Sequence, residues 1–333
     1  MINNIKVKNF KGFSDFEIKD FKQINIITGQ NNSGKSSLLE AIGLLYNPVC
    51  ANSINRFYGY TKDSFASFFH NLNTESAIEI STSNENLTLK VLFEEEVSKE
   101  EQIFINNGKP ENITTKQENL HLFYNSDTNK TDLFLDTFMY GSKYQNLYIS
   151  DTKLNSLNNI YYFDCIKHFD EMQTNKEEYS IIKVLRETIA PELENITLSR
   201  NDSLKVDLGY DKMLSFGALG DGIKKLFMIL IALYSTRNGI LLIDEIETGF
   251  HYSVLNSVWE TLIKASKEFN VQVFISTHSK ECIESYMYVF EKLKLKDDFD
   301  SYYRLERDKN DVKYIKYSSG ELKAAIENNL EMR

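Results

Sequence analysis

Eight residues, Gly29-Gln-Asn-Asn-Ser-Gly34-Lys35-Ser36, restrict what this chain can fold into more than any other feature. They fit the spacing G-x-x-x-x-G-K-[ST] and stand between two runs of different period. Ile24-Asn-Ile-Ile27 reads as the end of a buried strand, and Leu38, Leu39, Ile42 and Leu45 fall at helical spacing over Lys35–Tyr46. A strand, a glycine turn and a helix in that order form a phosphate cradle. The backbone N–H groups of Gly29, Asn31, Asn32, Ser33 and Gly34 can curl around an anion, and the start of the helix adds its positive dipole. Lys35 is placed for the terminal phosphates of ATP, the Ser36 hydroxyl for Mg2+, and Ser37 completes the first turn.

The remaining pattern extends this unit into an α/β fold. Ile5–Phe10 and Phe16–Ile18 alternate as strands, and Ala77–Thr82 and Asn86–Phe93 read as an antiparallel hairpin flanking the nucleotide core. From Ser203 strands and helices alternate. A strand near Leu204–Leu208 leads into a helix over Ile223–Tyr234, a strand Ile240–Ile243, a helix over Tyr252–Phe269, a strand Val271–Ile275 and a helix from Lys280. That alternation predicts a parallel sheet with its ligand at the carboxyl ends of the strands. The expected organisation is 1–83 and 203–290 as the two parts of an ATPase core, 84–202 as an inserted α/β or helical subdomain, and 291–333 as a C-terminal hairpin and short helix. That helix opens with the capping-box spacing of Ser318 and Glu321. Neither a sustained apolar seam nor sufficient length is present in 97–200 for long coiled-coil arms.

The strand Ile240–Ile243 ends in Asp244-Glu245, an acidic pair in which Asp244 suits the Mg2+ shell and Glu245 the attacking water. The next strand ends in Ser276-Thr-His278, which puts an imidazole within reach of the terminal phosphate or that water. A second glycine-rich loop, Ser215-Phe-Gly217-Ala-Leu-Gly220-Asp221-Gly222, opens a second helix and offers another set of N–H groups to an anion. One nucleotide does not need two such loops from one chain. The economical arrangement is a head-to-tail homodimer, or a higher even-numbered oligomer, in which this loop closes on ATP bound by the partner.

Composition removes several classes. The longest strongly apolar stretch, Leu226–Tyr234, is too short to span a bilayer, and the first residues lack a signal-peptide core, so the chain reads as cytoplasmic with no membrane partner. Three cysteines, Cys50, Cys165 and Cys282, lie more than a hundred residues apart and define neither a disulfide framework nor a CxxC metal site. They read as buried thiols. With 38 Lys+Arg against 48 Asp+Glu the net charge is −10, so tight nucleic-acid binding by the chain alone is not expected. The acidic run Phe93–Glu101 reads as a solvated loop or helix end, and Asp298-Phe-Asp300 as a solvated loop rather than a metal site.

Taken together, Ile5-x-Val-x-Asn-Phe-Lys-Gly-Phe13, the phosphate loop, the Ser215–Gly222 segment, Asp244-Glu245-Ile-Glu-Thr-Gly-Phe-His251 and Ser276-Thr-His278-Ser279 resemble an ABC-type ATPase of the RecF, SMC and OLD group. Within it the chain is most similar to the compact AAA ATPases grouped with the OLD family, which its Tyr303-Arg-Leu-Glu and Glu321-Leu-Lys segments also resemble. The resemblance implies ATP-driven dimerisation and control of a separately encoded effector, such as a TOPRIM-like nuclease in antiphage defence, with nucleic acid reached through that complex. Two alternatives remain: an ATP-bound scaffold or sensor with little hydrolysis, and a RecF-like DNA repair ATPase. The second loop departs from the Leu-Ser-Gly-Gly-Gln of transporters, and spacing from Asp244 places Gly220 or Gly222, rather than Ser215, nearest a partner's phosphate. No glutamine is assigned to the metal-sensing loop, and the 54 residues after Ser279 leave too little chain for a TOPRIM domain.

Overall fold

A computed structural model describes residues 1–46, 66–83, 87–98, 103–106, 109–112, 115–126, 129–134, 147–149, 158–201, 203–296, 298–309 and 311–328. Strands β1 (Asn4–Phe10) and β2 (Phe13–Lys19) form a hairpin, followed by β3 (Ile24–Thr28) and helix α1 (Lys35–Tyr46). Next come β4 (Ile78–Thr82), β5 (Leu87–Ser98), a small hairpin of β6 (Ile103–Asn106) and β7 (Lys109–Asn112), then β8 (Thr115–Ser126), β9 (Asn129–Phe134) and β10 (Leu147–Ile149). Helices α2 (Asn158–Thr174) and α3 (Glu178–Thr188) lead to β11 (Asn195–Leu198), β12 (Leu204–Asp207) and β13 (Leu214–Ser215). The chain ends with α4 (Asp221–Ser235), β14 (Ile240–Ile243), α5 (Leu255–Glu268), β15 (Gln272–Ser276), α6 (Lys280–Lys292), β16 (Asp300–Asp308), β17 (Asp311–Tyr317) and α7 (Ser319–Glu327).

Two six-stranded sheets organise these elements. The core sheet runs β10-β14-β15-β3-β16-β17, parallel except for β17, and the second runs β2-β1-β4-β5-β8-β9, antiparallel throughout. β14 is a continuous apolar run, and β3 and β15 are largely apolar with buried Asn25, Thr28, Gln272 and Ser276, because both faces of these strands are covered. Ile24, Ile26, Leu241, Ile243, Val273 and Ile275 enter the core formed with α2 to α6. Their neighbours Ile27, Ile240, Leu242 and Phe274 enter a second core, with α1 and the antiparallel sheet. The buried side chain of Gln272 fastens the N-terminus to this frame: its Oε1 accepts from Ile2 N at 2.8 Å, and its Nε2 donates to the Ile2 and Lys22 carbonyls at 2.9 Å each. The expected capping box is formed, with Glu321 accepting from Ser318 N at 2.8 Å.

Several expectations need correction. The antiparallel hairpin expected across 77–93 is formed by β4 and β5, and through β4 it continues the sheet of β1 across residue 84. Likewise β10, within the stretch read as inserted, is an edge strand of the core sheet, pairing Leu147 with Leu241. The acidic residues 94–96 lie in β5, paired to β8 as far as Ser98 opposite Thr115, not in a loop. Asp300 is not solvated: it is the first residue of β16, is buried, and accepts a 2.5 Å hydrogen bond from the Tyr286 hydroxyl. The C-terminal hairpin is part of the core sheet, with β16 running parallel to β3 from Asp300 opposite Ile24 to Arg304 opposite Thr28. Cys165 and Cys282 are buried and in no disulfide, while Cys50 lies outside the described residues. Among the described residues no helix is long and apolar enough to cross a membrane.

Candidate functional site

The loop from Gly29 to Gly34 is built by two backbone conformations that side chains resist. Gly29 has φ +143°, and a Cβ there would lie 2.4 Å from the Leu305 carbonyl oxygen of β16 and 2.5 Å from Ser33 Oγ. Gly34, at φ +101°, faces Phe13 of the β1–β2 hairpin and Val312 of β17. These approaches fix the curl of the loop before any ligand arrives. Gln30, Asn31, Asn32 and Ser36 are exposed, Ser37 is half-buried, and Ser33 is buried. Ser33 Oγ has no hydrogen-bond partner, which leaves a polar atom inside the loop awaiting one. The Lys35 ammonium is buried and donates to the Gly29 and Gln30 carbonyls at 2.7 and 2.8 Å. Burial pushes its pKa down, while the carboxylates of Asp244, Glu245 and Glu247 act in the opposite direction.

Parallel pairing gathers the acidic groups at that loop. β15 lies between β14 and β3, so the strand ends carrying Asp244-Glu245, Thr277-His278 and Gly29 are neighbours, and Thr277 N donates to the Ile27 carbonyl at 3.1 Å. Asp244 is buried and accepts a hydrogen bond from Ser276 Oγ, which in turn accepts from Glu245 N at 2.8 Å. Glu245 adopts φ +50°, a left-handed conformation uncommon for glutamate and characteristic of functional sites. His278 is exposed at the end of β15, with Nδ1 3.1 Å from Glu247 Oε1 and 3.7 Å from Glu245 Oε1.

The second glycine loop packs against the 245–250 segment. Ser215 ends β13, Gly217 lies in a single 3-10 turn, and Gly220 caps α4, whose first residue Asp221 pairs with Lys224 at 2.7 Å. Among the described residues, the hydrogen bonds and ion pairs of 214–222 do not reach 29–37. A Cβ at Gly220 would meet nothing within 4 Å, whereas one at Gly222 would lie 2.9 Å from the Gly249 carbonyl oxygen. Gly220 therefore faces open space, and Gly222 serves packing inside its own chain.

The donor set fits a nucleotide with Mg2+. Mg2+ takes most of its ligands from phosphates and water and needs only one or two protein oxygens, which matches one hydroxyl, Ser36, and one buried carboxylate, Asp244. A lysine already stripped of water and the orphaned Ser33 hydroxyl match the phosphates.

Sequence patterns did not single out Ser276, Glu247 or Lys225. Lys225, buried on α4, donates to the carbonyls of Glu245 at 2.8 Å and Thr248 at 2.9 Å, fixing the loop that carries the acidic residues. Ser276 was recoverable, since a buried Asp244 requires a donor and the adjacent strand end supplies one.

This geometry agrees with the relatives of the chain. The family described as "AAA domain, putative AbiEii toxin, Type IV TA system" matches residues 24–284. An ATP/GTP phosphatase of Helicobacter pylori is 27% identical across 95% of this chain and 94% of its own length. The DNA replication and repair protein RecF of Rickettsia prowazekii is 23% identical over 85% of this chain and 79% of its own. Among solved structures, an SMC head bound to the C-winged helix domain of ScpA superposes with TM-score 0.54 at 13% identity, covering 95% of this chain and 97% of that one. An SMC head with an extended coiled coil, bound to a ScpA domain derived from Pyrococcus furiosus, gives 0.52 at 12% identity, covering 98% and 99%. The match over 24–284, joined to the phosphate loop and acidic strand end, establishes that this chain belongs to that AAA-domain family, and its fold is that of the SMC heads.

Proposed function

We infer that the chain binds and hydrolyses ATP with Mg2+ in a site completed by a second copy of itself, and that the resulting assembly controls a separately encoded effector, a TOPRIM-like nuclease in antiphage defence. The observation that carries the catalytic part is the meeting of Lys35, Asp244, Glu245 and His278 at the ends of three adjacent parallel strands. In this reading the N–H groups of 29–34 and Lys35 hold the phosphates, Ser36 and Asp244 hold Mg2+, and Glu245 orients the attacking water beside His278. Mg2+ would supply charge neutralisation on the phosphates.

Exposure of Ser215, Gly217, Gly220 and Asp221, with open space beyond Gly220, supports a partner's nucleotide as the ligand of that second loop. An effector is supported by the toxin–antitoxin setting in the family description and by the separate ScpA domain bound to the SMC heads. The RecF relative favours a second reading, a DNA repair ATPase. The structure adds a groove lined by Lys22, Lys267, Lys294 and Lys296, with Asp298 its one acidic lining residue among the described residues.

Phosphate release by the purified chain tests both. The expected result is steady turnover that requires Mg2+ and does not respond to duplex DNA. Tight ATP binding with no phosphate released over many hours would contradict the enzymatic reading and leave the scaffold. Turnover stimulated by DNA at low salt, with the stimulation lost as salt rises, would favour repair.

A further inference from the structure

Glu247 is the acidic residue of the 244–247 segment to which the catalytic reading gives no task. Its backbone is held from both sides: Ile246 N donates to Ser276 O at 3.2 Å, Phe250 N donates to Glu247 O at 3.1 Å, and Lys225 grips the flanking carbonyls of Glu245 and Thr248. The side chain is only 12% exposed. Its Oε1 accepts from the His278 backbone N–H at 2.9 Å and lies 3.1 Å from His278 Nδ1, while its Oε2 is buried without a partner. The other carboxylate facing the ring, Glu245, stands 3.7 Å from the same nitrogen, beyond hydrogen-bond distance.

A carboxylate oxygen can only accept, so a proton on Nδ1 is the arrangement that the 3.1 Å approach of the two groups favours. We propose that Glu247 is a positioning residue that holds His278 in its Nδ1–H form and points Nε2 at the nucleotide, making the neutral ring an acceptor for the attacking water beside Glu245. A neutral ring so held has no N–H to offer a phosphate oxygen. The backbone bond to Glu247 Oε1 and the 3.1 Å approach of the ring to the same oxygen place the imidazole beside its own backbone although it is exposed. The part played by the water rests on the hydrolytic reading above. The state of the ring does not.

Two measurements separate the two claims. The first is 15N NMR of histidine-labelled protein without nucleotide at about pH 9, where an ordinary imidazole, titrating near 6.5, is neutral. Loss of a signal in His278→Gln assigns the residue. The expected spectrum shows protonated Nδ1 and bare Nε2 in the wild type, retained in Glu245→Gln and Glu247→Gln, whose amide oxygen can still accept. It reverts toward Nε2–H, the usual form of a free side chain, in Glu247→Ala. A wild-type ring protonated on Nε2, or one that changes with Glu245 instead, overturns the assignment whether or not the chain hydrolyses ATP.

The second measurement is a kinetic cycle. Glu247→Ala should lower kcat about ten- to hundredfold with little change in KM, and Glu247→Gln should restore most of it. Adding Glu247→Ala to His278→Ala should cost nothing further. Independent losses in that double variant would mean that Glu247 acts elsewhere, and would overturn its role through His278 while leaving the hydrolytic reading intact.

Discussion

Glu245→Gln is expected to bind Mg-ATP with near wild-type affinity and to hydrolyse it about a hundredfold or more slowly. The substitution keeps the shape of the side chain and its φ of +50°, and the 2.8 Å bond from its own N–H to Ser276 Oγ is a backbone interaction that the change does not touch. What is lost is the carboxylate that the proposed mechanism uses to orient water. Asp244 would still hold its place, because its partner Ser276 is unaffected. Isothermal calorimetry for binding and phosphate release for turnover check the two halves, and wild-type turnover in the variant would remove Glu245 from the reaction.

Lys35→Ala should lower ATP affinity about a hundredfold or more, since truncating one side of a buried charge pair costs about 2–5 kcal/mol. The effect on the fold should be small. In the absence of phosphate the ammonium is a burdened group, buried and bonded only to neutral carbonyls, with its pKa pushed down by desolvation. A lowered lysine pKa means that the unfolded chain binds the proton more tightly than the native one. This group therefore costs stability while protonated, and the cost disappears as pH rises through the interval from its lowered value to 10.5. Phosphate removes the burden by supplying the missing charge. Thermal unfolding of Lys35→Ala without nucleotide should match or slightly exceed the wild type, while the stabilisation that ATP gives the wild type should vanish. A variant that still gains stability from ATP would contradict the assignment of the loop.

The parts of this fold that were legible in the sequence are those whose signal is local. The phosphate loop is a fixed spacing, and β3, β14 and β15 announce themselves as short, mostly apolar runs because helices cover one face and α1 with the second sheet the other. The capping box of α7 is a four-residue pattern. Contacts between distant segments were not legible. Nothing local in Asp300–Asp308 shows that it pairs in parallel with β3, about 275 residues earlier, nor that the Leu305 carbonyl forbids a side chain at position 29. The Lys- and Asp-rich residues before Asp300 resemble a loop, so a carboxylate whose partner is the buried Tyr286 hydroxyl was read as solvated. Glu247 was invisible for the same reason, since its task is set by an imidazole on the neighbouring strand.

One nucleotide joining two chains is the central proposal, and light scattering of Glu245→Gln with Mg-ATP, alone and combined with Gly220→Trp, tests it. A ligand contacting both chains must favour the state in which both are present. Gly220 suits the test because a side chain there enters open space in its own chain, so only closure on a partner is blocked. The account predicts that ATP doubles the mass of the single variant, or drives it to a larger even-numbered assembly, and that the double variant binds ATP without changing mass. A double variant that assembles normally, or a single variant whose mass ignores ATP, would contradict it and make the loop before α4 a feature of the subunit alone.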